Sequence, residues 1–247
     1  MLLCAAKGQA AKAKVNVRQQ TEKFGPSNPF YASSTLPFHA PPFDKIRDSD
    51  YAPAFEAGIA QQLKEVEAIA NDPAPPTFQN TLVALEKTGR LLNRVNLAFS
   101  CVAGANTNPT LQKLQEDEAP RLAAAQDAIY LNTKLFARIK AIYDKRASLH
   151  LDPESLRLLN YQYQEFVKAG ALLSDADKDE LKKINEEDAT LEAQFMNKLL
   201  AATKAGAYTT TDAAALAGFS PAQLATAAAD AKARGEKGWA LPLQNTT

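Results

Sequence analysis

Cysteine and histidine are scarce in this chain of 247 residues, which has two of each. Cys4 lies in a terminal segment that we expect to be loose, so a disulfide from Cys4 to Cys101 is not expected to hold the fold together. Cys101 stands near Phe99 and Val102 among apolar residues, which predicts a reduced and buried thiol. A disulfide framework is therefore excluded as the basis of the fold.

The two histidines do not form the pattern of a zinc hydrolase. Such sites commonly use two histidines one helical turn apart, with a neighbouring glutamate that activates water. His39 and His150 are 111 positions apart (150 minus 39), and neither stands in a His-Glu-x-x-His pattern. We interpret each as a surface or packing histidine. No catalytic or metal-binding residue is assigned, and the substrate-binding residues stay unknown.

Other catalytic patterns are also missing. The sequence has no Gly-x-Ser-x-Gly elbow for a nucleophile, and its 10 glycines form neither a phosphate-binding loop nor a dinucleotide fingerprint. Two acidic runs, residues 116–118 and 186–188, are interpreted as solvated helix faces. Adjacent helical positions point about 100° apart and do not converge on one cation. The residues alone therefore yield no active site.

Excess charge and long apolar runs are absent too. The 28 basic and 28 acidic side chains cancel, which argues against nucleic-acid binding. No stretch approaches the roughly 18 to 20 apolar residues that a membrane-spanning helix needs, so no membrane span is predicted. Residues 1–27 are expected to be a disordered tail or the remnant of a trimmed export signal, because residues 1–6 are apolar but too short for a signal-peptide core.

The chain does have the composition of a globular protein, with 46% hydrophobic and 23% charged residues. This composition excludes disorder for most of its length, and one large domain over residues 28–247 is the default. Prolines predict that residues 28–43 form an extended arm that lies over the body. The aromatic side chains expected to hold the arm in place are Phe30, Tyr31, Phe38 and Phe43.

Apolar residues at spacings of three and four predict a series of helices after the arm. The first covers about residues 50–70, and Thr77 caps a second helix whose apolar stripe extends over residues 82–102. A short third helix follows near residues 111–114, and Pro120 starts or kinks the next one.

Capping residues delimit the later helices. Asp152 caps a helix that ends near Gly170, and Ser174 opens the longest helix. This longest helix is predicted to be strongly amphipathic. Its apolar side carries Leu181, Ile184, Leu191, Phe195 and Leu199. Charged residues lie largely on the other side: Lys178, Lys182, Glu186, Glu187 and Asp188.

A strand is predicted at residues 238–243, after a helical turn at residues 212–217 and a capped helix at residues 220–234. No partner strand is evident near it. A lone strand leaves backbone amides and carbonyls unpaired along both edges. We therefore expect an all-α fold with one C-terminal β-strand, in a sequence that looks cut out of a larger protein.

Three stretches of the sequence resemble a known family. Residues 34–46 read Ser-Thr-Leu-Pro-Phe-His-Ala-Pro-Pro-Phe-Asp-Lys-Ile, residues 76–81 read Pro-Thr-Phe-Gln-Asn-Thr, and residues 241–247 read Leu-Pro-Leu-Gln-Asn-Thr-Thr. They are similar to the family of zinc metallopeptidases that includes thimet oligopeptidase, neurolysin and oligopeptidase A. The first and last stretches resemble its bacterial peptidyl-dipeptidase branch. The resemblance extends from about residue 28 to the last residue.

The resemblance implies the N-terminal lobe of a two-lobed, neurolysin-like, all-α peptidase with a deep channel for short, unstructured peptides. It also implies zinc, held by a His-Glu-x-x-His helix and a later glutamate in a C-terminal catalytic lobe. None of those positions exists in this chain, so the chain alone is expected to bind no zinc and to be inactive. The parent protein would remove dipeptides from free C-termini. An endopeptidase of the oligopeptidase A type and a non-catalytic helical scaffold stay open as alternatives, and a periplasmic location is favoured over a cytoplasmic one.

Overall fold

Several helices begin where the sequence supplies a side chain that accepts hydrogen bonds from free backbone amides. The structure, a computed structural model, describes residues 24–243. Asp152 Oδ1 accepts from the amides of Glu154 and Ser155, both at 3.0 Å. The hydroxyls of Thr77 and Ser174 each accept from the amide three residues ahead. The three helix starts predicted at these caps are confirmed.

The fold is all-α with one short sheet. The α-helices of the described range are α1 Asp48–Ala70, α2 Ala84–Glu86, α3 Arg90–Ala105, α4 Pro109–Tyr130, α5 Thr133–Asp144, α6 Pro153–Lys168, α7 Asp175–Ala205 and α8 Pro221–Ala233, and its strands are β1 Tyr208–Thr210 and β2 Trp239–Leu241. No helix between residues 24 and 243 is both long enough and apolar enough to cross a membrane. The predictions for Cys4, for the terminal tail before residue 24 and for residues 244–247 lie outside the described residues.

The second predicted helix is interrupted, so the prediction of one continuous element is wrong. Residues Phe78–Val83 form π-helical turns that lead into α2, and α3 begins only at Arg90. The break falls at Gly89, which has a φ of 68° and donates its amide hydrogen to Glu65 Oε2 at 2.8 Å. Glycine adopts this left-handed conformation without a steric penalty from a side chain. After the break, α3 packs along α1.

α4 is one continuous helix, so the predicted boundary at Pro120 is wrong. Pro120 lies inside α4 and supplies no amide hydrogen to the carbonyl one turn before it. Asn108 caps the helix by accepting from the amides of Thr110 and Leu111. α4 packs against both α1 and α7. We infer that these tertiary contacts stabilise the helix across the proline.

Two clusters of buried side chains form the core, and α1 contributes to both. The first cluster joins the beginning of α1 to α3 and to the start of α4, through Tyr51, Phe55, Val95, Phe99 and Leu111. The ring of Phe99 lies edge-on to Tyr51 and Phe55, with centroids 5.3 and 5.4 Å apart. The second cluster joins the end of α1 to α5, α6 and the π-helical turns, through Val66, Leu82, Leu135, Ile139, Leu159 and Phe166.

The proline-rich arm is held at one end rather than by its whole aromatic series. Phe30 is buried in the first cluster, and its carbonyl accepts from Arg94 Nη2 at 3.1 Å. Tyr31, Phe38 and Phe43 are exposed, so the prediction that they anchor the arm is wrong. Residues Pro37–His39 form a 3₁₀ turn, and this turn directs the ring of Phe38 into solvent.

The predicted C-terminal strand is present as β2, but the prediction that it has no partner is wrong. β1 pairs with β2 in antiparallel register, with Tyr208 opposite Leu241, and α8 packs against β2. A Cβ atom on Gly238 would lie 2.2 Å from the carbonyl oxygen of Thr210, so only glycine fits where the chain enters this sheet. Because β2 is paired with β1, this strand does not indicate a sequence cut out of a larger protein.

The close approach of α1 and α3 makes Gly58 sensitive to substitution. A Cβ atom at position 58 would lie 2.9 Å from the backbone Cα of Leu92. We expect Gly58→Ala to lower the free energy of unfolding by about 1–3 kcal/mol, because the two helices must move apart. Urea denaturation followed by circular dichroism measures this change.

Gly104→Ala is the matched control for this prediction. Gly104 also lies in a helix, but a Cβ atom there would meet nothing within 4 Å. We expect this variant to be more stable by about 0.5–1 kcal/mol, because alanine has less backbone entropy to lose on folding. Equal effects of the two substitutions would show that the contact between the helices does not govern Gly58.

Candidate functional site

The contact between α4 and α7 includes hydrogen bonds between side chains. Asp127 Oδ1 accepts from Asn185 Nδ2 at 2.8 Å, and Glu116 Oε1 accepts from Asn197 Nδ2 at 2.7 Å. Near the start of α7, Lys178 is buried and donates to Thr133 Oγ1 at 3.1 Å. The sequence predicts Lys178 on the charged side of α7, and at this position that side is buried rather than exposed to solvent. The amphipathic pattern of α7 does not show that the side with Lys178, Asn185 and Asn197 faces the body.

The apolar side of α7 lies in solvent. We use the name α7 stripe for Ile184, Leu191, Phe195 and Leu199, whose exposed fractions are 55%, 55%, 62% and 45%. The sequence correctly places these residues on one side of one long helix. Leu181, predicted on the same side, is instead half-buried near Gly170. A stripe of this kind normally packs on the core of its own domain, whereas this one is left uncovered by the described residues. Exposed apolar patches of this kind mark interaction sites.

Two adjoining cavities of about 430 Å³ each lie between α3 and α4. Asn96 and Leu122 line both of them. Polar side chains that line the first cavity are Gln62, Glu86, Thr88, Gln126 and Gln162. The second cavity reaches α7, and its lining includes Gln115, Glu118, Met196, Asn197 and Leu200. Carboxamide side chains both donate and accept hydrogen bonds, so they can satisfy the two polar groups of a peptide unit.

Glu118 is a second charged residue that is buried where the sequence predicts exposure. The run at residues 116–118 was predicted to be solvated, but Glu118 is only 3% exposed. Burial raises the pKa of Glu118, and Arg121, with Nη1 2.7 Å from Glu118 Oε1, acts in the opposite direction. Its Oε2 atom is buried without a hydrogen-bond partner in the described range.

The spacing of Glu118 from the leucines of α4 indicates this burial. Glu118 follows Leu114 by four positions and precedes Leu122 by four, so it lies within the apolar stripe of α4. The second acidic run agrees with its prediction, because residues 186–188 are all exposed.

Asp127 is buried against α7 in a similar way. Burial raises the pKa of Asp127, while the hydrogen bond from Asn185 and the charge of Lys182 act in the opposite direction. Its second oxygen, Oδ2, is buried without a partner in the described part of the chain. The α4–α7 contact therefore contains carboxylates that are imperfectly satisfied in their charged form.

The residues examined as catalytic candidates do not come together. His39 and His150 are both exposed, as predicted for surface histidines. Among residues 24–243 no group of three histidine, cysteine, aspartate or glutamate side chains is placed to hold a metal ion. These residues therefore do not fit a zinc site, and no catalytic step can be derived from them.

Cys101 is exposed and free, so the prediction of a buried thiol is wrong. The buried face of α3 carries Leu91, Val95, Ala98 and Phe99. Cys101 follows Phe99 by two positions, which corresponds to a rotation of about 200° around the helix and places the thiol on the opposite side. Proximity in sequence to Phe99 and Val102 was therefore misleading.

Sequence comparison relates this helical structure to bacterial peptidases. The chain is 50% identical to the dipeptidyl carboxypeptidase of Salmonella typhimurium over 222 residues, which is 90% of this chain and 33% of that protein. It is 48% identical to the dipeptidyl carboxypeptidase of Escherichia coli over 221 residues, which is 89% of this chain and 32% of that protein. No family model matches the chain.

More distant similarity extends to a second group of peptidases. Oligopeptidase A of Escherichia coli is 25% identical over 207 residues, which is 84% of this chain and 30% of that protein. The chain spans about a third of the length of all three relatives. It is thus homologous to bacterial peptidases. Its similarity to the dipeptidyl carboxypeptidases is stronger than its similarity to oligopeptidase A. This result confirms the resemblance found in the three motifs.

The buried carboxylate of Asp127 predicts a pH effect with a definite sign. A folded-state pKa above the unfolded value means that the folded protein loses stability as pH rises through that interval. Asp127→Asn removes this loss and retains an oxygen that accepts from Asn185. We therefore expect the variant to gain stability relative to the wild type between pH 4 and pH 7 in urea denaturation.

Asp179→Asn is the matched control on α7. The hydrogen bond from Lys182 lowers the pKa of Asp179, so that carboxylate stabilises the fold as pH rises. We expect the stability lost in Asp179→Asn to develop below about pH 4, so that its difference from the wild type is nearly constant between pH 4 and pH 7. Parallel behaviour of the two variants would contradict the assignment of the effect to burial of Asp127.

Proposed function

We propose that the chain forms the N-terminal, helical lobe of a zinc-dependent peptidyl-dipeptidase, an enzyme that removes dipeptides from the C-termini of short peptides. The observation that carries the proposal is the 50% identity to the Salmonella typhimurium dipeptidyl carboxypeptidase over 222 residues. The chain spans 33% of that protein, so most of the polypeptide of such an enzyme would lie outside this match.

The role proposed for the lobe is to form one wall of a channel. Long helices can exclude folded proteins by shape and shield the reacting groups from bulk water. The two cavities between α3 and α4 support contact with an extended chain, because Gln62, Asn96 and Gln126 offer donors and acceptors that suit peptide groups. Short, unstructured peptides are therefore the proposed substrates of the parent enzyme.

Zinc belongs to the proposed parent and not to the residues described above. The described range has no group of side chains that fits a zinc ion, and His39 and His150 lie apart on the surface. The zinc ligands and the groups that activate water are therefore proposed to come from a C-terminal catalytic lobe. A periplasmic location remains part of the proposal, and cell fractionation would test it.

An endopeptidase of the oligopeptidase A type is the second candidate. The 25% identity to the Escherichia coli protein favours it over unrelated functions, although this identity is half of that to the dipeptidyl carboxypeptidase of Salmonella typhimurium. A non-catalytic helical scaffold is a third candidate, because the described residues present an interaction surface without a catalytic group.

The first prediction concerns the 247-residue chain by itself. We expect the purified chain to contain no stoichiometric zinc and to cleave no peptide, because the proposed zinc ligands belong to another lobe. Elemental analysis and mass spectrometry of incubated peptides measure the two properties. Cleavage by the pure chain that a chelator abolishes would contradict the proposal.

The second prediction concerns the protein encoded by the complete reading frame. We expect release of dipeptides from peptides with a free C-terminus and no cleavage of the same peptides once the C-terminus is amidated. Internal cleavage of amidated peptides would favour the oligopeptidase A alternative. A reading frame without a His-Glu-x-x-His pattern would favour the scaffold.

A further inference from the structure

We propose that the α7 stripe is the surface on which this lobe docks to the remainder of its parent protein, and that the docking surface presents a basic side chain opposite Asp188. This inference rests on the proposed function, since it assigns the partner of the lobe. The partner is the polypeptide that makes up about two thirds of the length of the related dipeptidyl carboxypeptidases and lies outside the match.

The dimensions and composition of the stripe fit a protein interface. Its residues extend from Ile184 to Leu199, which corresponds to about 22 Å along the helix axis. Met196 and Leu200 widen the apolar surface beside the second cavity, with exposed fractions of 54% and 46%. Aromatic residues and methionine are enriched in the buried centres of interfaces. In contrast, the side of α7 that faces α4 is already satisfied by polar contacts.

Asp188 makes the α7 stripe selective for a partner surface that carries a positive charge. It follows Ile184 by four positions and precedes Leu191 by three, so it lies within the stripe and not beside it. The prediction that places Asp188 on the side opposite the apolar residues is therefore wrong. Asp188 is exposed, and no ion pair to it is present within residues 24–243. An apolar partner that covers the stripe removes this carboxylate from water. Such burial is unfavourable unless a cation is placed opposite the carboxylate.

A second copy of this chain meets that requirement poorly. In a parallel pair of α7 helices the two Asp188 carboxylates face each other. In an antiparallel pair centred on the stripe, Asp188 faces Phe195 of the second copy. Neither arrangement places a cation directly opposite the carboxylate, so charge complementarity favours a different surface that carries arginine or lysine.

The test is binding of this chain to a defined partner segment. The 247-residue chain is co-expressed with the segment of Salmonella typhimurium dipeptidyl carboxypeptidase that lies outside the 222-residue match. The dissociation constant of the complex and the release of dipeptides are both measured. As a second version, the chain replaces the matched segment in the single-chain enzyme, so that failure of the separate pieces to fold does not decide the result.

Three variants separate the contributions of the stripe. We expect Leu191→Asp to weaken binding at least about tenfold, because it places a second charge in an apolar contact. Leu97→Asp on α3 is the matched control, since Leu97 has an exposed fraction of 57% against 55% for Leu191, and we expect a change of about twofold at most. All of these positions are exposed, and circular dichroism confirms that each variant folds.

Asp188→Leu reports on the proposed basic partner. If a cation lies opposite, this variant leaves that cation buried and unpaired, so we expect binding to weaken about tenfold. If no cation is there, the variant extends the apolar stripe and binds more tightly. Tighter binding would therefore overturn the charge assignment. In the isolated chain, the same variant is expected to increase self-association, which light scattering measures.

The outcomes distinguish this inference from the proposed function. A complex that releases dipeptides but is insensitive to Leu191→Asp overturns the docking surface and leaves the proposed function in place. Self-association through the stripe that excludes the partner segment also overturns it. No complex with the separate segment, together with an inactive single-chain version, overturns the proposed function and with it the inference.

Discussion

The polar contact between α4 and α7 is the constraint on which the exposed surface of this lobe depends. Asn185 and Asn197 bind carboxylates of α4, and Lys178 is buried against Thr133 of α5, so the rotation of α7 about its own axis is specified. That rotation turns the apolar residues away from α4. An ordinary amphipathic helix would do the reverse, and its apolar residues would then be unavailable to any other surface.

Local rules predicted much of the architecture from sequence. The caps at Asp152 and Ser174 and the apolar spacing in α1 depend on neighbours within one or two helical turns, and their outcomes agree with the structure. Predictions that used apolar spacing alone, without glycine conformation or angular position on the helix, are wrong. Gly89 interrupts a helix that apolar spacing predicts as continuous, and Cys101 is exposed because its angular position lies opposite the buried face of α3.

Contacts between residues distant in sequence could not be predicted from such local patterns. β1 and β2 are separated by α8, so their pairing depends on contacts distant in sequence. Pro120 suggested a boundary because the packing of α4 against α1 and α7 is not visible in its own neighbourhood. The orientation of α7 is the clearest case, since periodicity shows that two faces exist and does not show which one meets the body. The candidate site could therefore not be predicted, although Glu118 carried a signal in its spacing.

α1 contributes side chains to both buried clusters, with Tyr51 and Phe55 near its beginning and Val66 and Ile69 near its end. A helix of 23 residues is about 34 Å long and resists bending over that distance. Loss of either cluster therefore weakens the support of the other, which favours cooperative unfolding of the two. α1 therefore sets the spacing between the two clusters, so one helix determines where the packing of α5 lies relative to that of the arm residue Phe30.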